Sequence, residues 1–486
     1  MHQAAVRPHH PAFVFGSQVM TYGMLVDQAR RVATVLKNRG VRAGDRIGML
    51  SPNRPEIFSI YVGLAWIGAA IVPINTEYAP EEVRYILDHS EARFLVRTLD
   101  ALTLAREAVA SLFSPMEILD FDALLASAES VDPYAGEPLA SDKDLVLLCY
   151  TSGTTARPKG VAATHCNEIA SGFAYRDMWA ITPDDRILVT LPLSFSYGFH
   201  AATFVSLIGG ATVLLVSKFH PRLTLEMIES LKPSVFLGVP TMYAMMAEVA
   251  RKSDRRYDLS SLRFAAASGA SLNEQVVQDC QSMLGLWVRP YYAMTEVRPI
   301  FSFDLRKPGS PPPGSVGQLI PPTEVKIVDE TGNEVSADES GELWVKGPSF
   351  SGAYYRDPQR TAEALSGEWF RTGDIVYRDQ DGNYFIIGRN RDQIISGGAK
   401  IAPVEVEDAI LTHPGVAAAA VIGVADPMYG QIVKAFVVRS DPHLKENDII
   451  AHCEKRIADY KVPRVVMFMA SLPVAPSGKV LKSALT

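Results

Sequence analysis

Two apolar stretches limit what this chain can fold into. Residues 57–74 read IFSIYVGLAWIGAAIVPI and residues 204–216 read FVSLIGGATVLLV. The first is long enough to prompt a transmembrane reading, because about 20 apolar residues span a bilayer. It contains Ser59, Gly63, Gly68 and Pro73, however, and Arg54 and Glu56 lie just before it. A buried helix ending near Gly68, followed by a short buried strand, fits those interruptions better. The second stretch repeats the pattern, with Gly209-Gly210 as the break. Apolar helices alternating with strands that are apolar on both faces predict parallel sheets covered on both sides.

The rest of the first half agrees. RVATVLKNRGVRAGDRIGMLS reads as helix, turn and strand, PSVFLGVPTMYAMMAEVA as a strand running into a helix at Pro240, and LRFAAASGASL as a strand entering a small-residue loop. The texture changes near Leu305. TEVKIVDETGNEV and GELWVKG alternate as exposed strands do, and DIVYRDQDGNYFIIGR is a hairpin around Asp381-Gly382. After Arg389 a helix (PVEVEDAILTHPG, ended by Gly415), two strands and a second helix form a compact unit. The fold class read from this is α/β: a large N-terminal domain of parallel-sheet subdomains plus a small β-barrel-like part, then a small α+β C-terminal domain. The boundary falls in GRNRDQ, giving domains 1–389 and 390–486.

Bulk charge narrows the partners. The net charge is −7, which gives no support for a nucleic-acid partner. Cys149, Cys166, Cys280 and Cys453 form no CxxC pair, so reduced and mostly buried thiols are expected rather than a disulfide framework or a zinc site. The first residues carry no apolar signal region, KSALT is no address signal, and no segment reads as a membrane span. A cytoplasmic enzyme is the expectation, of unspecified oligomeric state.

The chemistry begins at residues 150–161, YTSGTTARPKGV, which follow the apolar strand DLVLLCY. A strand emptying into hydroxyls and glycine exposes N–H groups and hydroxyls together, an anion-binding concavity, and Lys159 adds a mobile positive charge. The same residue types also make ordinary capped turns. The stretch is not a Walker A loop, because Lys159 precedes Gly160 and follows Pro158.

It resembles the signature loop of the adenylate-forming superfamily of acyl- and aryl-CoA ligases, adenylation domains and luciferases. The match holds at every defined position except Ala156, where glycine is usual. YYAMTE (residues 291–296, with Ala293 for glycine), FRTGD (370–374), GRNRDQIISGGAKIAPVEVE and PSGKVLKSAL resemble that family's further motifs, in the same order. The resemblance covers nearly the whole chain.

It implies ATP-dependent activation of a small-molecule carboxylic acid to an acyl-adenylate with pyrophosphate release, then thioester formation with coenzyme A. The alternative acceptor is a carrier protein's phosphopantetheine. A third reading is a binding protein that has lost catalysis, which Ala156 and Ala293 motivate. Domain 1–389 would bind ATP and acid, and domain 390–486 would be mobile and carry the catalytic lysine. By the same resemblance, Thr151, Ser152, Gly153, Thr154, Thr155 and Lys159 would hold the phosphates. Glu296 would hold Mg²⁺ beside Thr295 on the α-phosphate. Gly269, Ala270 and Ser271 would read the adenine edge, and Tyr292 would offer it a flat face. Asp374 and Arg389 would meet the ribose, Arg391 would be the hinge, and Lys479 would drive adenylation. Phe195, Tyr197, Phe199, Phe236 and Gly238 would line an acyl pocket suited to an aryl or medium acyl group. Arg298 would meet a second substrate carboxylate or face solvent. The intact Lys159, Glu296, Asp374, Arg389 and Lys479 argue against lost catalysis. Ala156→Gly is accordingly expected to leave ATP–pyrophosphate exchange standing; a large gain would mean that the loop is compromised as it stands.

Overall fold

Strands that are apolar on both faces need cover on both faces, and the chain provides it in two sheets. The computed structural model describes residues 1–486 apart from 111, 113–115, 152–157, 307–311, 353, 390–391, 397–398, 476–478 and 486, with the backbone alone at 399–400. The first sheet has six strands in the order Glu117–Asp120, Phe94–Arg97, Arg46–Leu50, Ala70–Ile74, Leu145–Thr151, Lys159–Thr164. Its pairs are parallel except the last, which is antiparallel. The second has seven, in the order Val288–Pro290, Phe264–Ala267, Val235–Gly238, Arg186–Val189, Thr212–Leu215, Pro11–Phe15, Gln18–Thr21. It too is parallel except for its last pair.

Residues 57–74 resolve into the helix Glu56–Trp66, Gly68 at φ +74°, and the strand Ala70–Ile74, buried at every position. No helix among the described residues is long and apolar enough to cross a membrane. Gly63 lets this helix lie against the helix Tyr22–Asn38: a Cβ there would sit 2.6 Å from the Ala29 carbonyl oxygen. Residues 204–216 become the helix Val205–Gly209, Gly210 at φ +79°, and the strand Thr212–Leu215. One feature escaped the sequence reading. A π-helical segment, Tyr197–Phe204, leads into that helix, and such turns often accompany functional sites.

The antiparallel region is a five-stranded sheet. Gly341–Lys346 pairs with Glu324–Val328 and with Trp369–Arg378, which in turn pairs with Leu365–Ser366 and Tyr384–Arg389. Its hairpin turns at Gly382, φ +81°, where the Asp379 carboxylate accepts from the Asp381 and Asn383 amides. The expected barrel is corrected here. The strand path is open, and the ribbon Phe301–Ser302 with Gln318–Leu319 lies beside it, linked by the bridge Gly317–Tyr384 and by the Phe301 ring stacked on Tyr384 at 4.0 Å. The C-terminal unit wraps a five-stranded sheet around its own core of Ile394, Val406, Ile410, Val421, Val437 and Ile449. Its first helix, Pro403–Leu411, stops four residues before Gly415. All four cysteines are free thiols, three of them buried.

Gly63→Ala is predicted to destabilise the protein by about 1–3 kcal/mol, because the helices are already in backbone contact. Thermal denaturation checks it, and an unchanged midpoint would refute the close approach.

Candidate active site

The strands Leu145–Thr151 and Lys159–Thr164 pair so that Thr151 faces Lys159. Of the expected phosphate-binding residues, Ser152, Gly153, Thr154 and Thr155 lie outside the described residues, as do Ala156 and the expected hinge residue Arg391. Thr151 and Lys159 bracket that loop. The Lys159 ammonium sits 4.6 Å from the centre of the Tyr354 ring and donates to its hydroxyl at 3.3 Å. The same hydroxyl donates to Glu296 Oε1 at 2.8 Å. Tyr354 therefore joins two residues 137 positions apart in sequence, Lys159 and Glu296. Sequence reasoning missed it. It comes from irregular chain pinned to the loop's second strand, with Tyr355 N–H donating to the Gly160 carbonyl, and it carries no periodicity to read.

Asp374 and Arg389 are cross-strand partners in the antiparallel sheet. Arg389 Nε donates to Asp374 Oδ1 at 2.8 Å, and the Tyr292 hydroxyl donates to Oδ2. Burial works against the Arg389 charge, but Asp374 together with Tyr292, Asp392 and Glu296 outweighs it and raises that pKa. Burial first, then the Asp374 carboxylate, pushes the Tyr292 hydroxyl well up, so it stays a donor. Tyr292, expected to offer adenine a flat face, is 9% exposed, and one face of its ring stacks on Phe301 at 5.8 Å. Its polar tip is what reaches the cluster.

Gly269 follows the strand Phe264–Ala267 at φ +89°, a conformation glycine adopts freely. A Cβ built on it would lie 4.0 Å from Lys479 Cε. The C-terminal unit thus brings its lysine to the loop at 269–271, where Ala270 and Ser271 are exposed. A short bridge, Val474–Val480, and the Ala475 N–H on the Lys479 carbonyl at 2.7 Å shape that delivery. Asn273 Nδ2 donating to Asp408 Oδ1 at 2.8 Å ties the two units beside it.

The acyl-pocket expectations divide. Phe195 and Tyr197 are partly buried, and the Tyr197 hydroxyl donates to the Gly238 carbonyl at 3.1 Å. Tyr197, Tyr291 and Tyr175 form an edge-to-face series with centroids 5.6 and 6.0 Å apart. Phe199 and Phe236 are corrected to core residues, both 0% exposed. Phe199 packs on Phe58 and Tyr61. Phe236 points to the opposite face of its strand from Leu237 and packs on Tyr243, as alternation along a strand requires. A cavity of about 380 Å³ opens beside Phe173 and Asp177, on the other face of the helix His165–Met178 from Tyr175, and adds no wall here.

Arg298 meets neither a free substrate group nor solvent. It is 4% exposed and paired with Glu168, itself 1% exposed. His200 Nδ1 donates to the second Glu168 oxygen at 2.7 Å, and the Ser171 hydroxyl lies 2.7 Å from His200 Nε2. Burial opposes the Glu168 charge, but the Arg298 guanidinium and then the His200 N–H hold its carboxyl down at about 2. Burial also lowers the His200 pKa, only partly offset by Glu168. A helix glutamate and a distant arginine carry no sequence signal of their pairing.

Lys159 and Glu296 are thus joined through Tyr354, and Lys479 of the C-terminal unit lies beside Gly269. The chain belongs to the AMP-binding enzyme family: that family's model matches residues 1–355, and the model of its C-terminal domain matches residues 405–479. Among curated relatives, the feruloyl-CoA synthase of an Amycolatopsis species is 35% identical over 99% of this chain and 96% of its own length. The indoleacetate–CoA ligase of Aromatoleum aromaticum is 32% identical over 99% and 95%. Among solved structures, ATP-bound MatB from Rhodopseudomonas palustris superposes with a TM-score of 0.91 at 29% identity, covering 99% of this chain and 97% of that one. The anthranilate CoA ligase AuaEII with anthranoyl-AMP gives 0.92 at 28% identity, covering 100% and 95%.

Glu168→Gln is predicted to cost about 3–5 kcal/mol at neutral pH, because it strands the Arg298 charge in the interior. Both depressed pKa values make wild-type stability fall with acid. The His200 contribution is present above about 6.5 and fades below it, and that of Glu168 fades from about 4.5 down to about 2. Melting curves across pH check this; Glu168→Gln should lose the lower leg, and an unaltered lower leg would refute it.

Proposed function

We propose that this chain is an AMP-forming acid–CoA ligase acting on an aryl monocarboxylic acid. The observation that carries the reading is the approach of Lys479 to Gly269 in the same structure that links Lys159 to Glu296 through Tyr354. In the first half-reaction an oxygen of the acid attacks the α-phosphorus of ATP, and the bond to the pyrophosphate oxygen breaks. In the second, the CoA sulfur attacks the acyl carbon of the adenylate and AMP leaves.

Each group has a job its chemistry fits. Lys159 and the 152–157 loop would hold the departing pyrophosphate. Lys479 would bridge the attacking carboxylate and the α-phosphate, where charge concentrates in the transition state. Thr295 would lie on the α-phosphate. Asp374 keeps a lone pair on each oxygen beyond those used by Tyr292 and Arg389, enough for two ribose hydroxyls. The residues fit Mg²⁺ in one way. No cluster of three metal-binding side chains exists among the described residues, while Glu296 is a hard oxygen donor with one oxygen left by Tyr354. Mg²⁺ is commonly held by one or two carboxylates together with substrate phosphates. When bound it neutralises phosphate charge.

The aryl assignment rests on the partly buried aromatic rings of Phe195 and Tyr197 and on Arg298, whose charge is already spent on Glu168. The feruloyl and indoleacetate relatives agree with it. Across a panel of acids with ATP, Mg²⁺ and CoA, aryl monocarboxylates should give thioester well ahead of dicarboxylates; a preference for a dicarboxylate would overturn the assignment. Lys479→Ala should cut acid-dependent ATP–pyrophosphate exchange by about 10²–10³-fold, the scale for losing one charge-stabilising group, with the melting temperature unchanged. Undiminished exchange would remove Lys479 from the adenylation step.

A further inference from the structure

The sequence TEVRP places Arg298 two residues beyond Glu296. Its guanidinium works in two directions. Nη2 donates to the buried Glu168 carboxylate, and Nη1 donates to the Thr295 carbonyl at 2.6 Å. The peptide oxygen between Thr295 and Glu296 is therefore held by a charged fork whose own anchor is a helix residue. Glu168 is in turn fixed by His200, and His200 faces Ser171 one turn along the same helix.

That helix, His165–Met178, starts directly after the strand Lys159–Thr164, which closes the phosphate loop. It grips the carboxylate segment a second time from its first turn. Asn167 Nδ2 donates to the Pro348 and Phe350 carbonyls at 2.9 and 2.8 Å, and the next amide, Ser351 N–H, donates to the Glu296 carbonyl at 2.9 Å. Both carbonyls flanking the Glu296 nitrogen and carbon are thus referred to one rigid element. Tyr354, three residues beyond Ser351, adds the side-chain link from Glu296 to Lys159.

We propose that Arg298 and Glu168 are positioning residues: the helix His165–Met178 holds the Thr295–Glu296 peptide in register with Lys159 through them. The inference rests on the reading of Glu296 as the Mg²⁺ carboxylate. A buried pair retained only for packing could be exchanged for neutral groups of similar volume without harm. A pair that aims a carboxylate could not, and groups supporting a metal ligand typically control affinity by 10–100-fold.

The test uses the full chain with two variants. Glu168→Gln/Arg298→Met removes both charges together, and Arg298→Lys keeps the charge but lacks the planar fork that reaches two acceptors. Calorimetric titration with ATP, in excess Mg²⁺ and in EDTA, gives the gain in affinity that the ion provides; melting temperature reports folding, and KM for the acid reports the acyl pocket. The expected result is folded variants whose Mg²⁺-dependent gain falls by about tenfold or more, with affinity in EDTA and KM for the acid little changed. An unaltered Mg²⁺-dependent gain, or an equal loss in Mg²⁺ and EDTA, overturns the proposal. If the double variant does not fold, Arg298→Lys decides by the same two numbers. Wild-type protein that binds no ATP, or binds it without any Mg²⁺ dependence, would instead sink the functional reading on which the inference rests.

Discussion

A carboxylate and a guanidinium sealed from water, Glu168 and Arg298, can exist only together. Either charge alone in that interior would cost several kcal/mol. The pair therefore couples parts of the chain that are far apart in sequence. Glu168 belongs to the helix after the strand Lys159–Thr164, Arg298 to the turn carrying Glu296, and His200, which completes Glu168, to the π-helical segment that also carries Tyr197. When these close on one another, the helix His165–Met178, the turn carrying Glu296 and the segment carrying Tyr197 come into a common frame. The two parallel sheets supply the bulk of the stability, but this contact relates their loops to one another.

The second organising contact is the hydroxyl of Tyr354, between the ammonium of Lys159 and the carboxylate of Glu296. A positive and a negative group brought this close would collapse onto each other if nothing lay between them. A hydroxyl that accepts from one and donates to the other keeps them apart while satisfying both. Asp374 solves a similar problem with Arg389 and Tyr292. Each oxygen is fixed by one donor and retains capacity for another. These are preorganised sites in the sense that matters for transition-state stabilisation, because the dipoles are aimed before substrate arrives.

How much of this was legible depended on the range of the forces involved. The helix–glycine–strand reading of 57–74 and of 204–216 held, because apolar periodicity and glycine breaks are local properties of the chain. The hairpin at Asp381-Gly382 held for the same reason. The motif residues Lys159, Gly269, Glu296, Asp374, Arg389 and Lys479 were all visible as types in order. Tyr354, Glu168 and His200 were not, since each matters through a partner more than 25 residues away. Phe236 was misplaced by the parity of a strand: residues 236 and 237 face opposite sides, and the sequence does not say which side meets the substrate. The open edge of the antiparallel region, expected to close as a barrel, likewise depends on strand pairing that alternation alone cannot specify.

By itself, then, the sequence determined the alternation of buried strands and helices, the change to antiparallel β beyond Leu305, a separate C-terminal unit, and a family likeness carried by short loops. Those follow from side-chain polarity and backbone freedom at neighbouring residues. Only the tertiary structure decided that Arg298 is spent internally on Glu168, that Tyr354 stands between Lys159 and Glu296, and that Lys479 lies against Gly269. Those are settled by which charges can be buried together and which strand ends converge, and burial is a property of the folded whole.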